Sequence, residues 1–227
     1  AAAAGGGRGL KDVDRIVAIL KRETARFREP IVTTFAREKD PFKVLVSCLL
    51  SLRTKDEVTA RAAERLFAAA GDAEALSRLA PARIEELIHP VGFYRTKARR
   101  LRQLAGVLVR ERGGRVPETI AELLELEGVG RKTANLVVVL GYGKPGICVD
   151  THVHRICNRL GWVETGTPEK TEFALRERLP RRHWAVINDL LVAWGQNICR
   201  PLSPWCSRCA LAGHCPRIEV VTHPDDS

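Results

Sequence analysis

Lys132 and Asp150 are the residues best suited to covalent chemistry in this sequence, and four clustered cysteines are the ones best suited to hold a metal centre. Lys132 falls in the first turn of a helix that follows Gly128-Val129-Gly130, directly after Arg131. The positive end of the helix dipole and the neighbouring guanidinium both disfavour an ammonium there, so the amine is easier to deprotonate. A neutral lysine amine is a nucleophile that can form a Schiff base. By itself, a first-turn lysine also serves as a plain phosphate contact or a solvated surface residue. Asp150 heads a helix, where an aspartate ordinarily caps free N–H groups. Paired with a nucleophile, the same rigidly held carboxylate can stabilise positive charge developing on a sugar ring as a base departs. Cys199, Cys206, Cys209 and Cys215 follow the spacing C-x6-C-x2-C-x5-C. Four thiolates so close in sequence can surround tetrahedral zinc or a [4Fe–4S] cluster, and softness alone allows both.

The lysine is positioned by the stretch from Ile120 to Leu140. Ile120, Leu123, Leu124 and Leu126 keep helical spacing. Gly128 and Gly130, two apart, let the backbone turn sharply and expose its N–H groups, and a second helix starts at Arg131. Those donors, with Val129 at the turn and the dipole behind them, make a phosphate seat that is indifferent to base identity. The bland alternative is a tight turn closing two core helices. A second turn, Val91-Gly92-Phe93-Tyr94, runs into Lys97, Arg99, Arg100 and Arg102. Apolar side chains there can wedge into a base stack while the basic residues hold phosphates; a hydrophobic turn with a solvated basic face is the competing reading.

Elsewhere the pattern is helical. Val13, Ile16, Val17 and Leu20 mark an amphipathic helix within Lys11 to Phe27, and Pro41 opens a more apolar one ending near Leu52. Thr54 followed by Glu57 predicts a capping box for the next helix, toward Ala70. Shorter pieces fill 72–79 and 82–87, and Gly113-Gly114 stops the helix that carries Leu101, Leu104 and Leu108. Asp150-Thr151-His152 begins a helix through Arg159, Thr167-Pro168 begins another to Leu179, and 184–198 is an apolar helix before the cysteine loop. No strand alternation and no repeat is found; the fold class is all-α. Cys48, Cys148 and Cys157 read as core residues. The net charge of +10 points to a polyanionic partner, seven cysteines argue against a secreted disulfide framework, and no apolar run is long enough to span a bilayer. The start, AAAAGGGRG, reads as a disordered leader or trimmed end.

In order along the chain, PFKVLVSCLLS, VGFYRTKA, LEGVGRKTAN, VDTHVHRICNR and the cysteine loop resemble the endonuclease III branch of the helix-hairpin-helix DNA glycosylases, from about Lys11 to Arg217. The resemblance implies two helical domains with a DNA cleft between them. A six-helix domain at 35–144 would hold the hairpin at 119–141. Residues 10–34 plus 145–227 would form a domain whose loop at 199–215 carries a [4Fe–4S] cluster, which decides iron–sulfur against zinc. It further implies Lys132 as the Schiff-base residue, Asp150 as the catalytic aspartate and Phe93 as a wedge beside a flipped nucleotide. Gly128, Val129, Gly130, Arg131, Arg53 and Lys97 would join Phe93 in contacting DNA. Lysine together with the cluster motif looks like the bifunctional enzyme acting on oxidised pyrimidines, a glycosylase with abasic lyase activity. A monofunctional glycosylase or a non-catalytic binding module are the alternatives. The partner would be double-stranded DNA with damaged bases or abasic sites, and the protein a monomer. Its place would be the nucleoid if bacterial or archaeal, and the nucleus or mitochondrion if eukaryotic. Two departures stand out: Arg53 replaces a glutamine near the orphaned base, and Glu127 replaces the hairpin's usual proline.

Overall fold

The computed structural model describes residues 12–27 and 39–220, and every regular element among them is helical. The leader expected at the N-terminus lies outside the described residues. In chain order the helices are α1 (Val13–Thr24), α2 (Pro41–Ser51), α3 (Asp56–Ala69), α4 (Ala73–Arg78), α5 (Pro81–Ile88), α6 (Tyr94–Arg112), α7 (Ile120–Leu124), α8 (Arg131–Leu136), α9 (Thr151–Arg159), α10 (Pro168–Arg178) and α11 (Trp184–Asn197). A single wide turn, Val137–Gly141, continues α8 with π-helical bonding. The chain divides into two compact units, one around residues 39–146 and one that joins 12–27 to 147–220.

In the first unit α2 is the axis. Asp40 caps it by accepting from the Phe42 and Lys43 N–H groups (2.9 and 3.2 Å), and Pro41 occupies its first turn. A helix apolar on all sides must be enclosed, and Val44, Leu45, Val46, Cys48 and Leu50 are buried. It packs against α3, α8 and the π turn. The π turn closes on α2 so tightly that a side chain on Gly141 would stand 2.8 Å from Pro41 Cα. Helix α6 is longer and one-sided: Ala98, Leu101, Leu104, Ala105 and Leu108 face inward, while Arg95, Arg99 and Arg102 are exposed. It ends at Gly113 in the left-handed conformation (φ +59°), with Gly114 N–H closing on Leu108 O.

In the second unit, α9 packs on α10 and α11, and α1 lies on α11 with Val13, Ile16, Val17 and Leu20 buried. Trp162 and Trp194 supply the bulk of this core. Asp14, in the first turn of α1, accepts from Arg182 and His183 (2.6 Å each at closest approach). Those two hydrogen bonds hold its carboxyl down at about 2. Asp150 caps α9 and Thr167 caps α10, both as the sequence predicts.

One cap is a correction. Helix α3 begins at Asp56 with Lys55 at its cap position and no side-chain cap, so the Thr54–Glu57 box does not form. The Thr54 hydroxyl is spent elsewhere, mainly on two residues far along the chain.

Candidate active site

The hairpin is built from α7, a glycine turn and α8. The Thr119 hydroxyl caps α7 through Glu122 N–H (3.3 Å), and the helix ends at Leu124, two residues before the last position of its apolar pattern. Leu126 is buried all the same, and its carbonyl accepts from Val129 N–H (3.1 Å). Gly128 sits at φ +81°, where any other residue would be strained, and Gly130 and Lys132 are exposed. Helix α8 has no side-chain cap. Thr133, Ala134 and Asn135 are buried directly after Lys132, so one turn of helix anchors in the core and presents the lysine outward. Lys132 also stands near α2: burial pushes the Cys48 thiol up to about 12, against an opposing pull from the Lys132 charge.

The same unit brings three more of the predicted residues beside the hairpin. Arg53, Phe93, Lys97 and Gly128 line one cavity of about 390 Å3, together with Leu49 and Leu52. Arg53 and Phe93 both adopt left-handed backbone (φ +53° and +58°), and the guanidinium carbon lies 5.8 Å from the ring centroid. Phe93 is 64% exposed at the head of α6.

Lys97 has a different use from the phosphate contact expected of it. It is only 9% exposed, and its ammonium donates to Leu50 O (2.7 Å), Leu52 O (2.6 Å) and Thr54 Oγ1 (3.2 Å). Desolvation lowers its pKa to about 8. Thr54 Oγ1 in turn accepts from Gly92 N–H (3.1 Å). Lys97 and Thr54 therefore fix the 50–54 loop, with Arg53 on it, to the turn that carries Phe93. Sequence reasoning missed Thr54 here, because the two groups that donate to its hydroxyl lie 38 and 43 positions away. Lys97→Met leaves the two carbonyls without their donor, so unfolding free energy should fall by about 1–3 kcal/mol in denaturant titration. Gly92→Ala should act on the same joint. An added Cβ would stand 2.6 Å from Arg53 O, a backbone atom that must then move. A loss of about 1–3 kcal/mol is expected from such overpacking, read by the same titration.

In the other unit, Asp150 Oδ1 accepts from the His152 and Val153 N–H groups (2.9 and 3.0 Å), which fixes the carboxylate at the head of α9. Burial pushes the Cys157 thiol upward, and the Asp150 charge adds to the effect. His154 Nδ1 meets Thr171 Oγ1 (2.7 Å) and Asn158, a packing role. Arg155 binds Gly195 O and Cys199 O (3.3 and 2.8 Å), tying α9 to the end of α11 and the first loop cysteine.

Cys199, Cys206, Cys209 and Cys215 surround one small cavity with Trp205 and Arg159. Among the described residues no three His, Cys, Asp or Glu side chains already form a set arranged for a metal ion, and all seven cysteines are free. Burial, and then the other sulfurs, push the Cys209 thiol up to about 11 and raise Cys215. N–H donors nevertheless aim at two of the sulfurs: Arg159 Nη1 at Cys199 Sγ (3.3 Å) and Arg217 N at Cys215 Sγ (3.4 Å). Four soft sulfurs around a cavity, with donors directed at them, fit a thiolate-bound cation, which would reverse the upward shifts. Arg200 and Arg208 flank the Trp205 ring at 4.1 and 5.4 Å. Among the described residues no helix is long and apolar enough to cross a membrane.

An all-helical fold that presents a lysine behind a glycine hairpin defines a helix-hairpin-helix protein. The HhH-GPD superfamily of base excision DNA repair proteins matches residues 46–181. Endonuclease III of Thermotoga maritima is 49% identical over 82% of this chain and 88% of its own length. The chain spans 48% of the length of the two Arabidopsis thaliana homologues that it matches. A non-covalent endonuclease III–DNA complex superposes with a TM-score of 0.79 at 29% identity, covering 91% of this chain and 95% of that one. A trapped endonuclease III–DNA covalent intermediate with an estranged adenine gives 0.72 at 33% identity, over 78% of this chain and 84% of that one. The chain belongs to the endonuclease III family of the HhH-GPD superfamily. Its class is that of a base excision DNA glycosylase with abasic lyase activity.

Proposed function

We propose that this protein excises oxidised pyrimidines such as thymine glycol from duplex DNA and then cleaves the abasic strand, with Lys132 and Asp150 as its catalytic residues. The observation that carries this reading is the exposed lysine held by a buried turn of α8 immediately after the glycine hairpin, in a chain 49% identical to an endonuclease III. The hairpin N–H groups of Gly128, Gly130 and Arg131 seat a phosphate, and Phe93 wedges into the stack with Arg53 beside it. A weakly stacked damaged pyrimidine is extruded and read outside the helix. The neutral Lys132 amine attacks C1′ of the deoxyribose. The C1′–base bond breaks, and its electron pair leaves with the base, while Asp150 offsets the positive charge on the sugar. Loss of a proton from nitrogen and opening of the ring give the Schiff base. Removal of a C2′ proton then expels the 3′ phosphate with the C–O electron pair.

The loop cysteines Cys199, Cys206, Cys209 and Cys215 are proposed to hold a [4Fe–4S] cluster. When bound, the cluster supplies a structural clamp on the loop, since neither step above transfers an electron. Such a protein works where DNA is kept: the nucleoid of a bacterial or archaeal cell, or a eukaryotic nucleus or mitochondrion.

A denaturing gel of a thymine glycol duplex, run with and without alkali, tests the reading. Strand cleavage without alkali supports it. Cleavage only after alkali would identify a monofunctional glycosylase, and none in either lane a binding module. Affinity should fall steeply with salt, because phosphate contacts dominate it.

A further inference from the structure

Arg159 is a buried guanidinium that pairs with no carboxylate among the described residues. It lies at the end of α9, is 8% exposed, and forms no ion pair among the described residues. Its donors reach Cys199 Sγ (3.3 Å), Arg200 O (2.7 Å) and Pro201 O (2.7 Å). Glu164 and Glu219 line a cavity with it, but its hydrogen bonds go to the cysteine loop instead. Its own carbonyl accepts from Ile218 N–H (3.3 Å), so one residue grips the chain on both sides of the loop. A buried charge without an opposite partner is costly. Arg155, also partly buried, adds a second cation against the same cysteine. Among the described residues, the groups in hydrogen-bond contact with Arg159 that can become anionic are the Cys199 sulfur, which its guanidinium meets, and the Cys215 sulfur, which lies 3.4 Å from its carbonyl oxygen.

We infer that Arg159 is the built-in counter-charge of the cysteine centre, selecting an anionic thiolate-bound cluster and setting its reduction potential. The inference rests on the proposed [4Fe–4S] reading, in which four thiolates outweigh the positive core and leave a net negative group. Adding an electron makes that group more negative, so a nearby buried cation favours the reduced form and raises the potential. It also opposes release of iron, because loss of the cluster strands the guanidinium.

The test compares the full-length protein with Arg159→Lys and Arg159→Met, all purified without oxygen. Iron and acid-labile sulfide per chain, the rate of iron release to a chelator, and the midpoint potential at an electrode are measured, with helix content by circular dichroism. Arg159→Met should release iron at least tenfold faster and show a potential lower by about 59 mV or more, a tenfold change for a one-electron couple. Arg159→Lys should stay close to the parent in potential. If Arg159→Met fails to fold while Arg159→Lys folds with its iron, the charge is again what matters. Parent-like release and potential in Arg159→Met would overturn the inference. So would equal losses in both variants, which would assign the effect to the geometry of the fork rather than to its charge. A parent protein holding zinc, or no iron and sulfide, would instead overturn the cluster reading on which the inference stands.

Discussion

Lys132→Gln should abolish the covalent protein–DNA species trapped by borohydride on a thymine glycol duplex, and lower strand cleavage by about 10³-fold or more, while duplex binding changes little. Glutamine is a good helix former of similar reach, and position 132 is exposed on α8, so the fold has no reason to suffer. The buried run Thr133, Ala134 and Asn135 that anchors the turn is untouched. The competing account makes Lys132 a phosphate contact, and Lys132→Arg separates the two. Arginine keeps the charge and the phosphate affinity but forms no Schiff base. A phosphate role predicts that Lys132→Arg retains cleavage and that Lys132→Gln weakens binding on damaged and undamaged duplex alike, with a shallower salt dependence. The nucleophile role predicts that both variants lose the trapped species. Retention of full base excision by Lys132→Gln would end the assignment.

What the sequence made legible was local. The enclosed helix α2 is written in PFKVLVSCLLS, a proline at the start and apolar residues on every side, and it lies where that pattern puts it. The caps at Asp150 and Thr167 and the left-handed stop at Gly113 follow from single residue types with one dominant use. Thr54 shows where this fails. A threonine three residues before a glutamate is a good capping box, yet its hydroxyl bonds better to Gly92 N–H and Lys97 across the fold. Lys97 fails for the same reason: a lysine in a basic run reads as solvated until the carbonyls at the end of α2 are brought beneath it. Local patterns show what a side chain can do; packing decides which of several partners it meets. The hairpin itself was legible because it depends on glycine conformation and on where a helix restarts, both local. The uncompensated charge of Arg159 was not, since only burial distinguishes it from the other arginines of this basic chain.

Asp150→Asn should lower excision of thymine glycol by about 10²–10³-fold while shifting stability by a few tenths of a kcal/mol at most. The residue has two uses to separate. Asp150 Oδ1 accepts from His152 and Val153 N–H groups, and asparagine offers a carbonyl oxygen in the same place, a cap of nearly equal strength. What asparagine lacks is the negative charge that would oppose a developing sugar cation. If Asp150 only caps α9, Asp150→Asn works as well as the parent and Asp150→Ala alone suffers, by about 1 kcal/mol of stability. If the charge matters, Asp150→Asn loses activity with its fold intact, and the substrate tells at which step. On a duplex that already carries an abasic site no base has to depart, so the deficit of Asp150→Asn should shrink there, whereas that of Lys132→Gln should not. Equal deficits of Asp150→Asn on both substrates would move its role from the departure of the base to the elimination that follows.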